Sequence, residues 1–322
     1  MLAAFASAIN PDDPLAGLEV AQTAEPQVPE GWELISVRAA ALNHHDLWSL
    51  KGVGLSADLL PMVLGCDAAG VAADGTEVVV HAVIGDPAAG GGDETLDPKR
   101  TLLSEKHPGA LAELVAVPKR NLVPKPAELS FEEAACLPTA YLTAYRMLVT
   151  RSGLHEPGKI LVQGAGGGVA TALLLLGKAL GHTVFVTSRD ETKRAKASAL
   201  GADGVFEPGG RLPARVDAVM ETVGAATWSH SLKSLRPGGT LVVCGATSGP
   251  NPPADLNRVF FLQLSVVGST MGTRDELAGL LALLARTGVR PLIDDVRPLS
   301  DARASFAALA GGDVFGKLVV TT

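Results

Sequence analysis

The segment from Leu161 to Gly181, LVQGAGGGVATALLLLGKALG, constrains the fold of this chain more than any other stretch. Four of its first eight residues are glycine, and a run of aliphatic residues follows them. The apolar residues before the glycines predict a strand, and those after them predict a helix that begins near Val169. A glycine turn between a strand and a helix gathers unpaired backbone N–H groups at the positive end of the helix dipole. The segment therefore predicts a binding site for a pyrophosphate.

The turn contains two overlapping versions of the glycine pattern that binds dinucleotides, one from Gly164 to Val169 and one from Ala165 to Ala170. We favour the second, because its last position is small enough for the helix to pack against the strand. The residues expected to face the phosphates are Ala165, Gly167, Gly168 and Val169. Taken alone, the motif also fits a glycine-rich loop without a ligand.

Strands and helices alternate along the chain after residue 158, which is typical of a parallel sheet covered by helices. The expected strands are 159–162, 183–187, 216–220, 240–244 and 265–268, and the expected helices are 169–180, 191–200, 228–235 and 274–287. A last apolar run, 317–320, is too isolated to join this sheet. We expect it to return to an earlier domain.

The first third of the chain consists of short apolar runs broken by turn residues, which predicts a β-rich domain. Trp32–Val37 is an expected strand, and the runs 65–72 and 77–83 are expected to form a hairpin whose turn contains Asp74 and Gly75. The polar, glycine-rich segment Gly85–His107 has no periodicity, so we expect a surface excursion there.

Composition excludes several classes of protein. The formal net charge of −7 and the pI near 5.5 argue against nucleic-acid binding, which depends on clustered Lys and Arg. The three cysteines are far apart, which suits a reducing cytosol. The N-terminal segment lacks the basic residues of a secretory signal, and the longest aliphatic run, 170–176, is too short to cross a bilayer. A cytoplasmic protein of two domains, with no membrane contact, is expected from 322 residues of this composition.

The residues after the second strand of the predicted sheet help to distinguish NAD from NADP as the bound dinucleotide. An acidic residue at the tip of that strand would bind the ribose 2′-OH of NAD, but the chain reads Thr187-Ser188-Arg189-Asp190. Ser188, Arg189 and Lys193 would instead stabilise the 2′-phosphate of NADP(H). The alternatives are that these charges are merely solvated, or that Asp190 allows NAD to bind.

Several stretches, taken together and in order, resemble the medium-chain dehydrogenase/reductase superfamily, and within it the zinc-free branch that is similar to quinone oxidoreductases. The stretches that carry the resemblance are VRAAALNHHDLWSLKG (37–52), LGCDAAGV (64–71), GALAELVAVP (109–118), LPTAYLTAYRML (137–148), the glycine turn, LRPGGTLVVCGATSG (235–249), VVGSTMG (266–272) and FGKLVV (315–320).

The resemblance implies an α/β fold in which a GroES-like β-rich catalytic domain is combined with a Rossmann domain that has a doubly wound parallel sheet. The implied domains are 1–126 for the catalytic domain, 127–289 for the cofactor-binding domain and 290–322 for the return to the catalytic domain. It also implies hydride transfer between NADP(H) and a small molecule such as a quinone, an activated enone or an aldehyde. A homodimer is expected, through edge pairing of the strand 265–268.

The resemblance further implies roles for individual residues. Asn43 and Trp48 would lie on the substrate side of the nicotinamide, and Thr143 at its carboxamide. Trp48 stands where a tyrosine is common, so the source of the proton is open. His45 or His44 could donate it, although a structural role or a phosphate contact is the favoured alternative for such a histidine. Further cofactor contacts are expected at strand ends and from the other domain, namely Val223, Gly245, Ala246, Ser269 and Lys317.

Zinc-bearing members of the superfamily hold a catalytic metal through residues at three places. In this chain those places are occupied by Asn43, Cys66-Asp67 and Thr139. Asn43 and Thr139 cannot supply the thiolates, so we expect no zinc, although His44, His45, Cys66 and Asp67 are chemically able to form an improvised site. The excursion 85–107 has none of the cysteines of a structural zinc site. A zinc-type alcohol dehydrogenase and a non-catalytic dinucleotide-binding protein are the alternatives to a metal-free reductase.

Overall fold

The structure is a computed structural model that describes every residue from Met1 to Thr322. The chain forms two compact units. Unit 1 contains Met1–Leu142 and Met271–Thr322, and unit 2 contains Thr143–Thr270.

The strands, in chain order, are β1 (Leu2–Ala6), β2 (Leu18–Gln22), β3 (Trp32–Ala41), β4 (Met62–Val63), β5 (Asp67–Val71), β6 (Glu77–Val80), β7 (Val83–Ile84), β8 (Thr101–Leu102), β9 (Leu114–Pro118), β10 (Leu122–Pro124), β11 (Lys159–Gln163), β12 (Thr183–Thr187), β13 (Gly204–Phe206), β14 (Val216–Glu221), β15 (Leu235–Val243), β16 (Ser265–Gly268), β17 (Ile293–Pro298) and β18 (Lys317–Thr321). The helices are α1 (His44–Leu50), α2 (Phe131–Ala135), α3 (Leu142–Arg146), α4 (Gly168–Ala179), α5 (Glu191–Ala199), α6 (Ala225–Ser234), α7 (Leu256–Phe261), α8 (Arg274–Thr287) and α9 (Ala302–Gly311).

Unit 1 is built on a sheet with the strand order β10-β6-β5-β3-β18-β17, to which β9 adds by pairing with β3. A second sheet, β2-β1-β4, and the pair β7-β8 complete the β structure of this unit. Inward-facing aliphatic side chains such as Ile35, Val37 and Leu64 pack with Phe306 of α9 in one buried core. Alternation of buried and exposed residues along β3 accounts for this packing, because successive side chains of a strand point to opposite faces. The predicted β-rich first domain is confirmed.

The last strand, β18, pairs antiparallel with β3, with Val319 opposite Ala41. The chain therefore returns to unit 1 after it has formed unit 2. The predicted hairpin is also present, because β5 and β6 pair antiparallel with Val71 opposite Glu77, and Gly75 adopts a φ of +89° in the turn.

Unit 2 is a six-stranded parallel sheet with the order β13-β12-β11-β14-β15-β16. The central strand β11 pairs with β12 on one side and with β14 on the other, and its residues Ile160 to Gln163 are completely buried. Burial on both faces explains why these strands are continuous apolar runs. The predicted α/β fold with a doubly wound parallel sheet is confirmed, and the structure adds β13, a strand that was not expected.

The predicted domain boundaries stay a prediction, and the compact units divide the chain at other positions. The sequence placed 127–289 in one domain, whereas the compact units divide after Leu142 and after Thr270. The difference arises because two helices near the boundaries pack on unit 1. Helix α2 contacts β3 and β5, and α8 contacts β10.

None of the helices is both long enough and apolar enough to span a membrane.

Candidate functional site

The glycine turn of unit 2 has the geometry that a phosphate-binding turn requires. Gly164 has a φ of +91°, which only glycine adopts without strain, and Gly167 is the residue that precedes the first turn of α4. A Cβ added at Gly167 would meet no atom within 4 Å, whereas one at Gly177 would touch Val184 and Ile160 at 3.0–3.1 Å. Packing within the protein therefore explains Gly177 but not Gly167. The bare backbone of Gly167 leaves open space at the N-terminus of a twelve-residue helix.

The other predicted contacts in this turn differ in exposure. Ala165 is buried, with 5% of its surface exposed, whereas Gly168 and Val169 are half-buried. The side chain of Ala165 thus faces the interior, and only its backbone is left to contact a ligand.

Residues after β12 form a turn that is held by Arg194. Its guanidinium donates hydrogen bonds to the carbonyls of Ser188, at 2.7 Å, and Arg189, at 3.2 Å. Asp190 caps α5, because its Oδ1 accepts from the N–H of Lys193 at 2.9 Å. The side chain of Arg189 is exposed and makes no hydrogen bond or ion pair. The turn therefore presents an unpaired cation, and its only carboxylate is engaged in capping.

The carboxyl ends of the six strands of the sheet meet at one edge, as expected for a parallel sheet. Gln163 lies opposite Thr187, and Val243 lies opposite Gly268. The structure thus brings the glycine turn and the predicted contacts that follow β12, β14, β15 and β16 to one edge, namely Ser188, Arg189, Val223, Gly245, Ala246 and Ser269. Ser269 has a buried hydroxyl without a hydrogen-bond partner. Thr143, at the start of unit 2, is buried.

In unit 1, Lys317 of β18 is the centre of a buried polar cluster. Its Nζ donates to the carbonyl of Leu42 at 2.7 Å, to Asn43 Oδ1 at 2.6 Å and to Asp67 Oδ2 at 3.2 Å. Asn43 Nδ2 in turn donates to Asp67 Oδ2 at 2.8 Å. All three side chains are at least 92% buried.

These contacts bear on two predictions, which stay predictions. An ammonium group has three N–H donors, and three acceptors within unit 1 engage them, so Lys317 has no donor left for the predicted pyrophosphate contact. The amide of Asn43 is likewise engaged at its oxygen and at its nitrogen. Asn43 therefore organises the cluster rather than offering a free polar group to a substrate.

The residues at the predicted zinc positions do not fit a zinc ion. The Asp67 carboxylate already binds a cation, Lys317, and has only its buried Oδ1 without a partner. The Cys66 thiol donates to the carbonyl of Leu103 at 3.2 Å, and burial raises its pKa, which opposes the thiolate form that zinc requires. No group of three or more His, Cys, Asp or Glu side chains is placed to hold a metal ion. The improvised site that the sequence allowed is not assembled.

His45 bridges a thiol and a carboxylate. Its Nδ1 lies 3.5 Å from Cys66 Sγ, and its Nε2 lies 3.1 Å from Glu105 Oε1. Because both ring nitrogens already have partners, the contacts of His45 fit a bridge to the excursion 85–107, which is the structural role that the sequence favoured over proton donation.

The other residues of α1 divide between its exposed and its buried face. His44 and Trp48 are exposed, and partial desolvation together with the Lys317 charge lowers the pKa of His44. Asp46 is completely buried, and burial raises its pKa to about 6. Its carboxylate accepts from the N–H groups of Asn43, at 2.7 Å, and Gly65, at 3.1 Å. Asp46 therefore ties the start of α1 to the segment before β5.

Four polar residues of these sites were not singled out from the sequence, namely Glu105, Gln163, Arg194 and Glu221. Two of them could have been found from the sequence, because Gln163 and Glu221 are polar residues that directly follow the apolar runs of their strands. A polar side chain at the end of a buried strand needs a partner, and in a parallel sheet that partner lies near the ligand edge.

Comparison with known proteins agrees with this architecture. Residues 29–127 match the alcohol dehydrogenase GroES-like domain, and residues 168–286 match the zinc-binding dehydrogenase family. The zinc-type alcohol dehydrogenase-like protein YogA of Leptosphaeria maculans is 32% identical, over 89% of this chain and 89% of its own.

Solved structures show the same fold over the whole chain. An NAD-dependent alcohol dehydrogenase has a TM-score of 0.89 and 32% identity, with 100% of each chain covered. The 2-octenoyl-CoA carboxylase reductase CinF, solved with NADP and 2-octenoyl-CoA, has a TM-score of 0.90 and 26% identity, over 99% of this chain and 87% of CinF. The chain therefore belongs to the medium-chain dehydrogenase/reductase superfamily, whose members are oxidoreductases.

Proposed function

We propose that this protein is an NADP(H)-dependent reductase that transfers hydride to a conjugated carbonyl compound, a quinone or an activated enone, without a metal ion. The observation that carries the proposal is the buried Lys317 ammonium, which binds Asp67 and Asn43 where a metal-dependent relative would hold its cation. A second cation beside Asp67 would be repelled by this charge. The reaction is then mostly a matter of positioning the two reactants.

The dinucleotide is assigned from unit 2. The open space at Gly167, at the positive end of α4, suits a pyrophosphate. The exposed Arg189, with Ser188 beside it and Lys193 at the start of α5, favours a 2′-phosphate over a bare ribose, and the capping role of Asp190 supports the same choice. One solved relative holds NADP and another is described as NAD-dependent, so this turn is the local argument for NADP.

Bound NADPH would supply the hydride, and the chain would supply orientation and a proton. Trp48 and His44 are the exposed side chains of α1 that we assign to the substrate and phosphate side, and Thr143 to the nicotinamide carboxamide. His44 makes no hydrogen bond within the protein, whereas both ring nitrogens of His45 are engaged by Cys66 and Glu105. We therefore move the role of candidate proton donor from His45 to His44.

The test is NADPH oxidation by purified protein with a panel of quinones, enones, enoyl-CoA thioesters and aldehydes, in the presence and absence of a chelator. We expect turnover with NADPH that the chelator does not change. Loss of activity with chelator and recovery with zinc would favour a zinc-type alcohol dehydrogenase. Dinucleotide binding without turnover of any acceptor would favour the non-catalytic alternative.

We also propose a homodimer formed through β16. This strand is the edge of the sheet of unit 2, and Val266 on it is 48% exposed. The adjacent Leu256, Phe260 and Phe261 are 68–79% exposed, an apolar surface that pairing with a second copy would cover. Mass measurement in solution tests this, and a monomer at all concentrations would refute it. The three cysteines are free thiols, which supports the proposed cytoplasmic location.

A further inference from the structure

A chain of buried polar side chains crosses the carboxyl edge of the sheet in unit 2. Thr187 Oγ1 donates to Gln163 Oε1 at 2.6 Å, Gln163 Nε2 donates to Ser231 Oγ at 3.0 Å, and Ser231 Oγ donates to Glu221 Oε2 at 2.6 Å. None of the four is more than 1% exposed. The chain links three adjacent strands, β12, β11 and β14, with helix α6.

Glu221, the last residue of this hydrogen-bonded series, fixes the loop after β14. Glu221 Oε1 accepts from the backbone N–H groups of Val223, at 2.8 Å, and Gly224, at 3.0 Å. Thr227 Oγ1 also donates to this carboxylate at 2.8 Å. Glu221 makes no ion pair, so hydrogen bonds alone compensate its burial, and the loop cannot move without breaking them.

Three of these four hydrogen-bonded residues directly precede segments that we assign to cofactor binding. The pairs are Gln163–Gly164, Thr187–Ser188 and Glu221–Thr222. Two backbone contacts strengthen the connection. Thr222 Oγ1 donates to the carbonyl of Gln163 at 2.9 Å, and the N–H of Gly164 points to Thr187 Oγ1 at 3.4 Å.

The partners of Gln163 fix the orientation of its amide. His230 Nε2 lies 2.9 Å from the carbonyl of Gly210, so it carries the proton, and Nδ1 is left to accept from Gln163 Nε2 at 3.1 Å. Every polar atom of the Gln163 side chain therefore has a defined role. An apolar side chain of the same shape would leave the hydroxyl of Thr187 without its acceptor and Ser231 without its donor.

We propose that Gln163 is a positioning residue for dinucleotide binding, which sets the spacing between the glycine turn, the turn after β12 and the loop after β14. This inference rests on the proposed function, because those three segments are the ones assigned to the cofactor. Gln163 acts through its neighbours and is buried beneath the segments that we expect to contact the ligand.

The test compares Gln163→Met, which keeps the shape and removes the hydrogen bonds, with the wild type and with Asn121→Leu. Asn121 is a matched control, because it is a buried amide in unit 1 whose Nδ2 donates to the carbonyls of His81 and Val83 at 2.7–2.8 Å. The measurements are the Kd of NADPH by calorimetry, the KM and kcat of turnover, and Tm. We expect Gln163→Met to raise the Kd and KM of NADPH about tenfold, with a smaller change in kcat, and Asn121→Leu to lower Tm only.

A second variant keeps the proposal testable if Gln163→Met does not fold. Ser231→Ala removes the link between Gln163 and Glu221, and we expect the Kd of NADPH to rise by about threefold or more. If the wild type binds NADPH and both folded variants bind it equally well, Gln163 has only a structural role and the inference fails. If the wild type binds neither NADPH nor NADH, the proposed function fails and the inference falls with it.

Discussion

Lys317 Nζ lies 3.2 Å from Asp67 Oδ2, and the two side chains are no more than 2% exposed. The residues are far apart in sequence and meet because β18 returns to pair with β3. This ion pair leads to the first prediction. Lys317→Met leaves a buried carboxylate without its cation, so we expect the free energy of unfolding to fall by about 3–5 kcal/mol in urea denaturation.

Lys178→Met is the control for that loss, because the Lys178–Asp203 pair has the same chemistry with 35–36% of each side chain exposed. We expect this variant to lose less than about 1 kcal/mol. If both variants lose the same free energy of unfolding, burial does not increase the contribution of the Lys317–Asp67 pair to stability.

The glycine turn gives a prediction with its own control. Gly167 has an ordinary φ of −72° and open space where a Cβ would be, so Gly167→Ala is expected to change the free energy of unfolding by less than about 1 kcal/mol. The added methyl group occupies the space assigned to the pyrophosphate, and we expect dinucleotide affinity to fall about tenfold or more by calorimetry.

Gly164→Ala should behave differently, because the φ of +91° strains any side chain. We expect a loss of about 1–2 kcal/mol of stability. If Gly167→Ala binds NADPH as well as the wild type, the turn does not hold the phosphates.

Arg189 tests the choice between the two dinucleotides. Its side chain is exposed and unpaired, so Arg189→Ala should leave Tm unchanged and remove a charge-assisted contact with the 2′-phosphate. We expect the ratio of kcat/KM for NADPH to that for NADH to fall about tenfold. Lys119→Ala, an exposed lysine of unit 1, should leave this ratio as it is, and an unchanged ratio in Arg189→Ala would contradict the assignment of NADP.

Asp46 gives a pH dependence of defined sign. Burial raises its pKa from 3.8 to about 6, so between these values the folded protein holds a proton that the unfolded chain has released. Stability from this group is therefore fully present below pH 3.8 and is lost as the pH rises through about 6. The change amounts to as much as about 3 kcal/mol.

The free energy of unfolding, measured by urea denaturation between pH 4.5 and pH 7.5, should fall with pH in the wild type. In Asp46→Asn this slope should be absent. The variant will be less stable at every pH, because the amide accepts only one of the two N–H groups that Asp46 binds. The slope is the quantity that decides, and an identical slope in both proteins would mean that Asp46 does not titrate in this range.

The features that sequence predicted are those encoded locally. The glycine turn, the alternation of strands and helices and the turn at Gly75 depend on periodicity and on backbone conformation over a few residues. The edge at which the predicted contacts of unit 2 meet follows from the same pattern, because neighbouring parallel strands end together.

The features that sequence missed depend on contacts between distant residues. His45 and Glu105 are 60 positions apart, and Lys317 and Asp67 are 250 apart. The residues around one member of such a pair do not indicate which distant residue it will contact. For that reason the sequence predicts Lys317 as a pyrophosphate contact and leaves the role of His45 open between a proton donor and a structural partner.

The position of Lys317 on β18 also bears on the order in which the chain acquires its structure. During synthesis Asp67 emerges early, while its cation and the strand between β3 and β17 follow only after all of unit 2 has been made. Until then the sheet of the first 142 residues ends at β3, whose residues Ala39–Ala41 lack their β18 partner, and Asp67 lacks its cation. Unit 2 has no such dependence, because its six strands are contiguous in the chain, so it is free to fold on the ribosome while unit 1 waits for its final strand.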